Sequence, residues 1–203
     1  MHRGRRELVP YNHIQGFAST NVPAYSNGDD NFFSNERHYV HGIFTGFKWQ
    51  CVEFARRWLL MRKSCIFRNI RSAADIWSDL ISIERVTDGQ HFPLKAFRNG
   101  SPHKPKSDSL LIYPRHSSEL PFGHVAIICE VGSEFVCIAE QNYRFHHWSN
   151  KNYARQLRLT FKNDLYYIED YYEISGWMEI GGSNHLEPFD ESKVNSILEQ
   201  YKQ

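Results

Sequence analysis

Gly46-Phe47-Lys48-Trp49-Gln50-Cys51-Val52-Glu53-Phe54-Ala55-Arg56-Arg57-Trp58-Leu59 is the segment around which the chain organises itself. From Cys51, the apolar residues Phe54, Ala55, Trp58 and Leu59 recur at i+3, i+4, i+7 and i+8, one stripe of an amphipathic helix. Arg56, Arg57, Arg62 and Lys63 stand mostly off that stripe. Cys51 falls at the helix N-terminus, where unpaired N–H groups and the macrodipole favour negative charge. A thiolate is stabilised there, and the thiolate is the nucleophilic form. The other reading of this position is a buried thiol at the head of an apolar stripe.

Upstream, residues 1–35 are rich in turn formers, among them Gly16, Asn21, Pro23, Asn27 and Gly28. They read as an arm that wraps something, or a loose lead-in. Downstream, the spacing predicts a second helix over 72–85, with Ser72 as N-cap and Ala73, Ile76, Trp77, Leu80 and Glu84 following. A Pro, Gly and Lys loop covers 100–108. Strands are predicted at 109–113, 124–130, 134–140, 155–161, 165–171 and 176–180. One domain thus spans 36–182. Residues 183–203 form a polar tail, with a short helical pattern in Val194, Leu198 and Tyr201. Helices first and strands later indicate an α+β fold with an antiparallel sheet.

The 203 residues carry 24 Lys plus Arg against 23 Asp plus Glu, a formal charge of +1. That balance argues against a nucleic-acid partner bound through a broad basic face. Neither a membrane span nor a signal peptide is predicted: the basic start Met1-His2-Arg3-Gly4-Arg5-Arg6 has no apolar run behind it. The expected location is the cytoplasm. Four Cys are too few for a disulfide framework, so Cys65, Cys129 and Cys137 are assigned to packing. His146 and His147 are adjacent and lack ligand spacing, and His38 and His41 have no further ligands in sequence. No metal is expected.

A nucleophilic Cys needs a base, and the base needs an orienting acceptor. His124 opens one predicted strand and Glu140 closes the next, with Gly132 between them. A hairpin centred on Gly132 sets His124 directly opposite Glu140, within reach of a hydrogen bond. A two-residue Gly132-Ser133 turn instead opposes His124 to Gln141 and sends Glu140 to the other face.

Together with Asn99-Gly100-Ser101-Pro102, Leu110-Leu111-Ile112-Tyr113, Gly123-His124-Val125-Ala126 and Ile138-Ala139-Glu140-Gln141-Asn142, the Cys51 segment resembles the cysteine, histidine-dependent amidohydrolase/peptidase (CHAP) family. More narrowly it is similar to the amidase domains of glutathionylspermidine synthetase/amidases, over about residues 16–181. The resemblance implies a papain-like α+β fold and a triad of Cys51 as nucleophile, His124 as base and Glu140 as orienting acid. It implies hydrolysis of the glycyl amide joining glutathione to a polyamine, with neither metal nor nucleotide cofactor. The Cys51 N–H and Gln50 match the oxyanion position, while Arg56 and Asn142 match residues on the glutathione moiety. The loop 143–153 is expected to vary the amine accepted. A chain of this length has no room for an ATP-grasp synthetase domain. Two other functions stay open: a CHAP-type peptidoglycan amidase or endopeptidase, and a protein that binds glutathione conjugates without turnover.

Overall fold

The computed structural model describes residues 7–18, 21–116, 119–149, 152–182, 185–190 and 192. Two small hairpins come first, β1 (Ile14–Ala18) with β2 (Val22–Tyr25) and β3 (Arg37–Val40) with β4 (Ile43–Phe47). Helix α1 (Cys51–Lys63) follows, then β5 (Cys65–Ile66), a short α2 (Asp75–Asp79), β6 (Ser82–Arg85) and β7 (His91–Arg98). The chain continues through β8 (Leu110–Tyr113), β9 (His124–Val131), β10 (Phe135–Ala139), β11 (Arg155–Lys162), β12 (Leu165–Glu169) and β13 (Gly176–Ile180). Strands β5 to β13 build one sheet in the order β12-β11-β10-β9-β8-β13-β7-β6-β5, and its neighbours pair antiparallel. The fold is α+β.

Both faces of the sheet centre are covered, so β8 reads as a continuous apolar run. Leu110, Ile112, Val125, Ile127 and Met178 pack on one face against Phe54, Trp58 and Leu59 of α1. Leu111, Ala126, Ile128, Val136, Leu157, Leu159 and Trp177 form a second core on the opposite face. The alternation along β8 and β9 therefore divides the molecule into a helix side and a far side.

One expectation is corrected, and the structure separates the two readings of residues 1–35. The helix over 72–85 shrinks to α2, because Leu80 turns extended (φ −99°, ψ 124°) and β6 finds sheet partners in β5 and β7. Backbone pairing on both sides outweighs local helical spacing there. The 1–35 arm is not a loose lead-in: β1 and β2 bury Ala18, Val22 and Ala24 in the core that surrounds α1. Arg56 and Arg57, off the apolar stripe, are buried as well, because β4, β5 and β2 wrap the helix as well as β9 does.

Residues 185–190 pack on the domain. Leu186 is buried in the α1 core. Ser64 Oγ donates to Glu187 O at 3.0 Å, and Phe189 N–H to Met61 O at 3.2 Å. The helix expected at Val194, Leu198 and Tyr201 lies outside the described residues. Among the described residues no helix is long and apolar enough to cross a membrane.

Candidate active site

Cys51 is the first residue of α1, after Gln50 in extended conformation (φ −79°, ψ 157°). As first helical residue it has no intrahelical acceptor for its N–H. Gly46 lets β4 come this close to the helix: a Cβ there would stand 2.8 Å from the Glu53 Cβ, at φ +147°. Gly123, which delivers His124 to the site, has φ +67°, and a Cβ would lie 2.5 Å from the Tyr113 carbonyl oxygen.

His124 Nε2 and Glu140 Oε2 are 3.0 Å apart, both side chains buried. With Nε2 held by the carboxylate, Nδ1 is the nitrogen left for Cys51, whose side chain hydrogen-bonds His124. Burial pushes the Cys51 thiol up. The hydrogen bond and charge of His124, with backbone N–H groups of Val125 and Val52, outweigh it and hold the thiol below its ordinary value. Burial pulls His124 down, but Cys51 and Glu140 raise it to about 9. Both shifts move the pair toward thiolate and imidazolium.

The expected hairpin registers are both replaced. Val131 pairs with Val136 and Glu130 with Cys137, but Ile128 pairs with Ile138 and Ile127 with Ala139. Cys129 is thus a bulge residue, one extra on β9. The shift sets Glu140 on the same sheet face as His124, diagonally displaced rather than directly opposite.

Behind the pair lies a charge network that the sequence reading missed. Arg155 Nε donates to Glu140 Oε1 at 2.5 Å and Nη2 to Oε2 at 3.1 Å. Arg155 Nη1 donates to Asp170 at 2.7 and 2.9 Å, and Tyr113 OH to Asp170 Oδ2 at 2.7 Å. Burial raises the Glu140 carboxyl, yet Arg155 and His124 bring it down to about 2. One signal was readable: Arg155 is in phase with the inward-facing Leu157 and Leu159 of β11.

On the helix side, Glu53 is fully buried and held by Arg57 Nε at 2.8 Å, His38 Nδ1 at 2.9 Å and Thr45 Oγ1 at 3.0 Å. Burial raises its carboxyl, while Arg57 and His38 lower it to about 2. The i,i+4 spacing of Glu53 and Arg57 was the sequence signal for this pair.

A cavity of about 660 Å³ opens over the thiol. Gln50, Cys51, His124 and Asn142 line it, with Phe32 and Phe33 from the N-terminal arm. Its charged lining includes Arg144, Asp30 and Glu119. Burial and neighbouring Asp29 raise the Asp30 carboxyl. Asn142 Nδ2 donates to Gln50 Oε1 at 2.9 Å, and the Gln50 NH2 group gives one N–H to Asn27 Oδ1 at 3.5 Å, which leaves its second N–H. Arg56 is not among the lining residues. Its guanidinium is spent on backbone carbonyls: Nε on Thr45 O at 2.9 Å, Nη2 on Phe44 O at 2.8 Å, and Nη1 on Phe67 O. The expected contact of Arg56 with a bound carboxylate is therefore replaced by a place inside the protein. In the 143–153 loop, His146 Nδ1 lies 3.0 Å from Glu7 O, and Trp148 is buried against the α1 core.

A thiol at a helix N-terminus, an imidazole and a carboxylate in series, all under a cavity, form the arrangement expected of a cysteine hydrolase. Residues 42–142 match the CHAP domain family. The chain carries a CHAP domain. A trypanothione synthetase of Crithidia fasciculata is 45% identical over 163 residues, which are 80% of this chain and 24% of that protein. A bifunctional glutathionylspermidine synthetase/amidase of Escherichia coli is 33% identical over 181 residues, 84% of this chain and 29% of that protein. A glutathionylspermidine synthase of Crithidia fasciculata is 29% identical over 198 residues, 88% of this chain and 27% of that protein. The chain thus spans 24% to 29% of the length of these relatives. The CHAP match covers Cys51, His124, Glu140 and Asn142 and stops short of Arg155 and Asp170.

Proposed function

We propose that this CHAP domain is a cysteine amidase that cleaves the glycyl amide of a glutathione–polyamine conjugate such as glutathionylspermidine. The reading is carried by the continuous Cys51–His124–Glu140 contact beneath a cavity whose lining holds both an arginine and carboxylates. A glutathione conjugate presents carboxylate at one end and ammonium at the other, and that lining answers both. The amidase and the glutathionylspermidine enzymes among the relatives support the same substrate class.

The Cys51 thiolate attacks the glycyl carbonyl. The oxyanion takes hydrogen bonds from the Cys51 N–H and the Gln50 NH2 group; such donors are each worth about 2.7–4 kcal/mol in the transition state. The His124 imidazolium protonates the departing amine, leaving a thioester. Neutral His124 then deprotonates water, which releases glutathione and regenerates the thiol. Glu140 holds the imidazole ring in place throughout. Arg144 takes the anionic end of the substrate, and Asp30 and Glu119 face the cationic amine. Asn142 contributes by orienting Gln50. Arg56 supports the site from behind by fixing β4 against the helix.

Mass spectrometry of products from a panel of glutathione–polyamine conjugates tests the proposal. Wild-type protein is expected to release glutathione and free amine, and Cys51→Ala to release neither while keeping its fold. Turnover by Cys51→Ala would refute the nucleophile. Cleavage of peptidoglycan fragments with the conjugates left intact would replace the substrate class.

A further inference from the structure

Gln141 lies beside Glu140 but points to the opposite face of the sheet, toward α1, and is 1% exposed. Its amide is fully engaged. Nε2 donates to the Gln50 carbonyl oxygen at 3.2 Å and to Glu53 Oε2 at 3.0 Å. Oε1 accepts from Tyr25 N–H at 2.8 Å and from Arg57 Nη2 at 3.1 Å. Backbone N–H and guanidinium only donate, and carbonyl and carboxylate only accept, so one amide orientation alone satisfies all four.

The bond to Gln50 has a chemical consequence. The Gln50 carbonyl and the Cys51 N–H belong to one planar trans peptide, in which they point in opposite directions. The carbonyl already accepts the first helical bond, from Phe54 N–H at 3.2 Å. A second, fixed donor from Gln141 removes the freedom of that peptide plane to tilt. Pinning the carbonyl inward pins the Cys51 N–H outward, to the side where the thiol and cavity lie. Asn142, the next residue, enters the left-handed region at φ 59°, and its side chain holds that of Gln50. Glu140, Gln141 and Asn142 thus hold, in order, the imidazole, the Cys51 peptide plane and the Gln50 side chain.

We infer that Gln141 is a positioning residue for the oxyanion hole, acting through the Gln50–Cys51 peptide and touching neither substrate nor thiol. This rests on the acyl-transfer reading above, but not on the identity of the amide. A merely structural Gln141 would lower stability and every reaction of Cys51 alike. An oxyanion-positioning Gln141 slows only reactions that build negative charge on a carbonyl oxygen.

Two probes separate these. Acylation of Cys51 by 4-nitrophenyl N-acetylglycinate develops an oxyanion, whereas alkylation by iodoacetamide displaces iodide and develops none. In Gln141→Met, acylation is expected to fall by about tenfold or more, with alkylation at the wild-type rate. His38→Phe removes a different Glu53 contact and serves as the control, expected to leave both rates unchanged. If Gln141→Met does not fold, Gln141→Asn withdraws the amide by one methylene and is judged on the same two rates. Parallel loss of acylation and alkylation overturns the assignment, and so does unchanged acylation. A wild-type protein acylated by the ester yet inert toward conjugates overturns the substrate reading alone. A wild-type protein that is not acylated overturns both.

Discussion

His124 and Glu140 meet at 3.0 Å because β9 carries one residue more than β10 between them, the bulge at Cys129. Continue the outer register, Val131 with Val136, without the bulge. Glu140 then falls opposite Ile127, on the helix side, while His124 faces the far side. The change of register at the bulge therefore sets Glu140 on the face of His124. Cys129→Ala keeps the bulge and is expected to retain amide hydrolysis. Deleting Cys129 is expected to retain it too, because Glu130 opposite Cys137 and Ile128 opposite Ile138 then follow one another in a single ladder with the inner pairing unchanged. Turnover measured beside circular dichroism tests both, and a folded but inactive deletion variant would show that the bulge itself, not the inner register, aligns the acid.

Arg144 lines the cavity and Arg56 does not. Arg56 spends its donors on the carbonyls of Phe44, Thr45 and Phe67, and burial lowers its guanidinium to about 10. Arg56→Ala is therefore expected to lower unfolding free energy by about 2–4 kcal/mol, as lost charge-assisted bonds to buried carbonyls require. Arg144→Ala is expected to raise KM for glutathione conjugates with little change in stability. Denaturant melts and steady-state kinetics on both variants check this. A large KM effect of Arg56→Ala at unchanged stability would restore Arg56 to the cavity.

Much of this was legible in the chain. The stripe from Cys51 to Leu59 gave the helix and its leading thiol. The six late strands fell within a few residues of their observed bounds, since each is a short apolar run between turn residues. What escaped was decided by tertiary partners. The 82–85 segment has helical spacing but gains sheet neighbours on both edges. Arg56 looks solvated on a helical wheel, but β4 supplies carbonyls to that face. No local turn rule places a bulge at Cys129. The contact it produces was expected from the chemistry of a base needing an acceptor, while the register producing it was not.

The pH dependence follows from the two shifted groups at the thiol. Cys51 titrates below its ordinary value of 9.0, and His124 loses its proton only near about 9. Below the first, the nucleophile is protonated; above the second, no imidazolium remains to protonate the leaving amine. A bell-shaped kcat/KM profile is expected, with its alkaline limb near about 9. Iodoacetamide alkylation of Cys51 needs no proton donor, so its rate is expected to stay high through that limb. An alkylation midpoint at the ordinary thiol value would remove the thiolate–imidazolium pair.

Acid stability reports on the carboxylates that hold the site together. Glu53 and Glu140 are each lowered from 4.5 to about 2 in the folded chain. The unfolded chain therefore binds more protons as pH falls through 4.5, and the stability these groups contribute drains away between there and about 2. The loss on acidification is expected to be smaller in Glu53→Gln, which starts less stable at neutral pH. Thermal melts from pH 7 to pH 3 measure both effects, and a variant as acid-sensitive as wild type would exclude Glu53 as a contributor.

Arg155 is the residue on which the far side of the site depends. It lies between Glu140 and Asp170 and stacks over Tyr143 with Cζ 4.2 Å from the ring centre, while that ring sits 5.1 Å from His124. Arg155→Leu leaves the buried carboxylates of Glu140 and Asp170 without the guanidinium between them. Removing one partner of such a network costs about 3–5 kcal/mol. The Glu140 carboxyl then rises, and its hold on the His124 imidazolium weakens. Arg155→Leu/Asp170→Asn removes the same cation but leaves one carboxylate instead of two. The double variant is expected to recover part of the stability lost in the single one, while activity stays low because Glu140 no longer has its bidentate partner. Melting midpoints and turnover across the double-mutant cycle test this. Full recovery of turnover would mean that Arg155 only balances charge and does not orient Glu140.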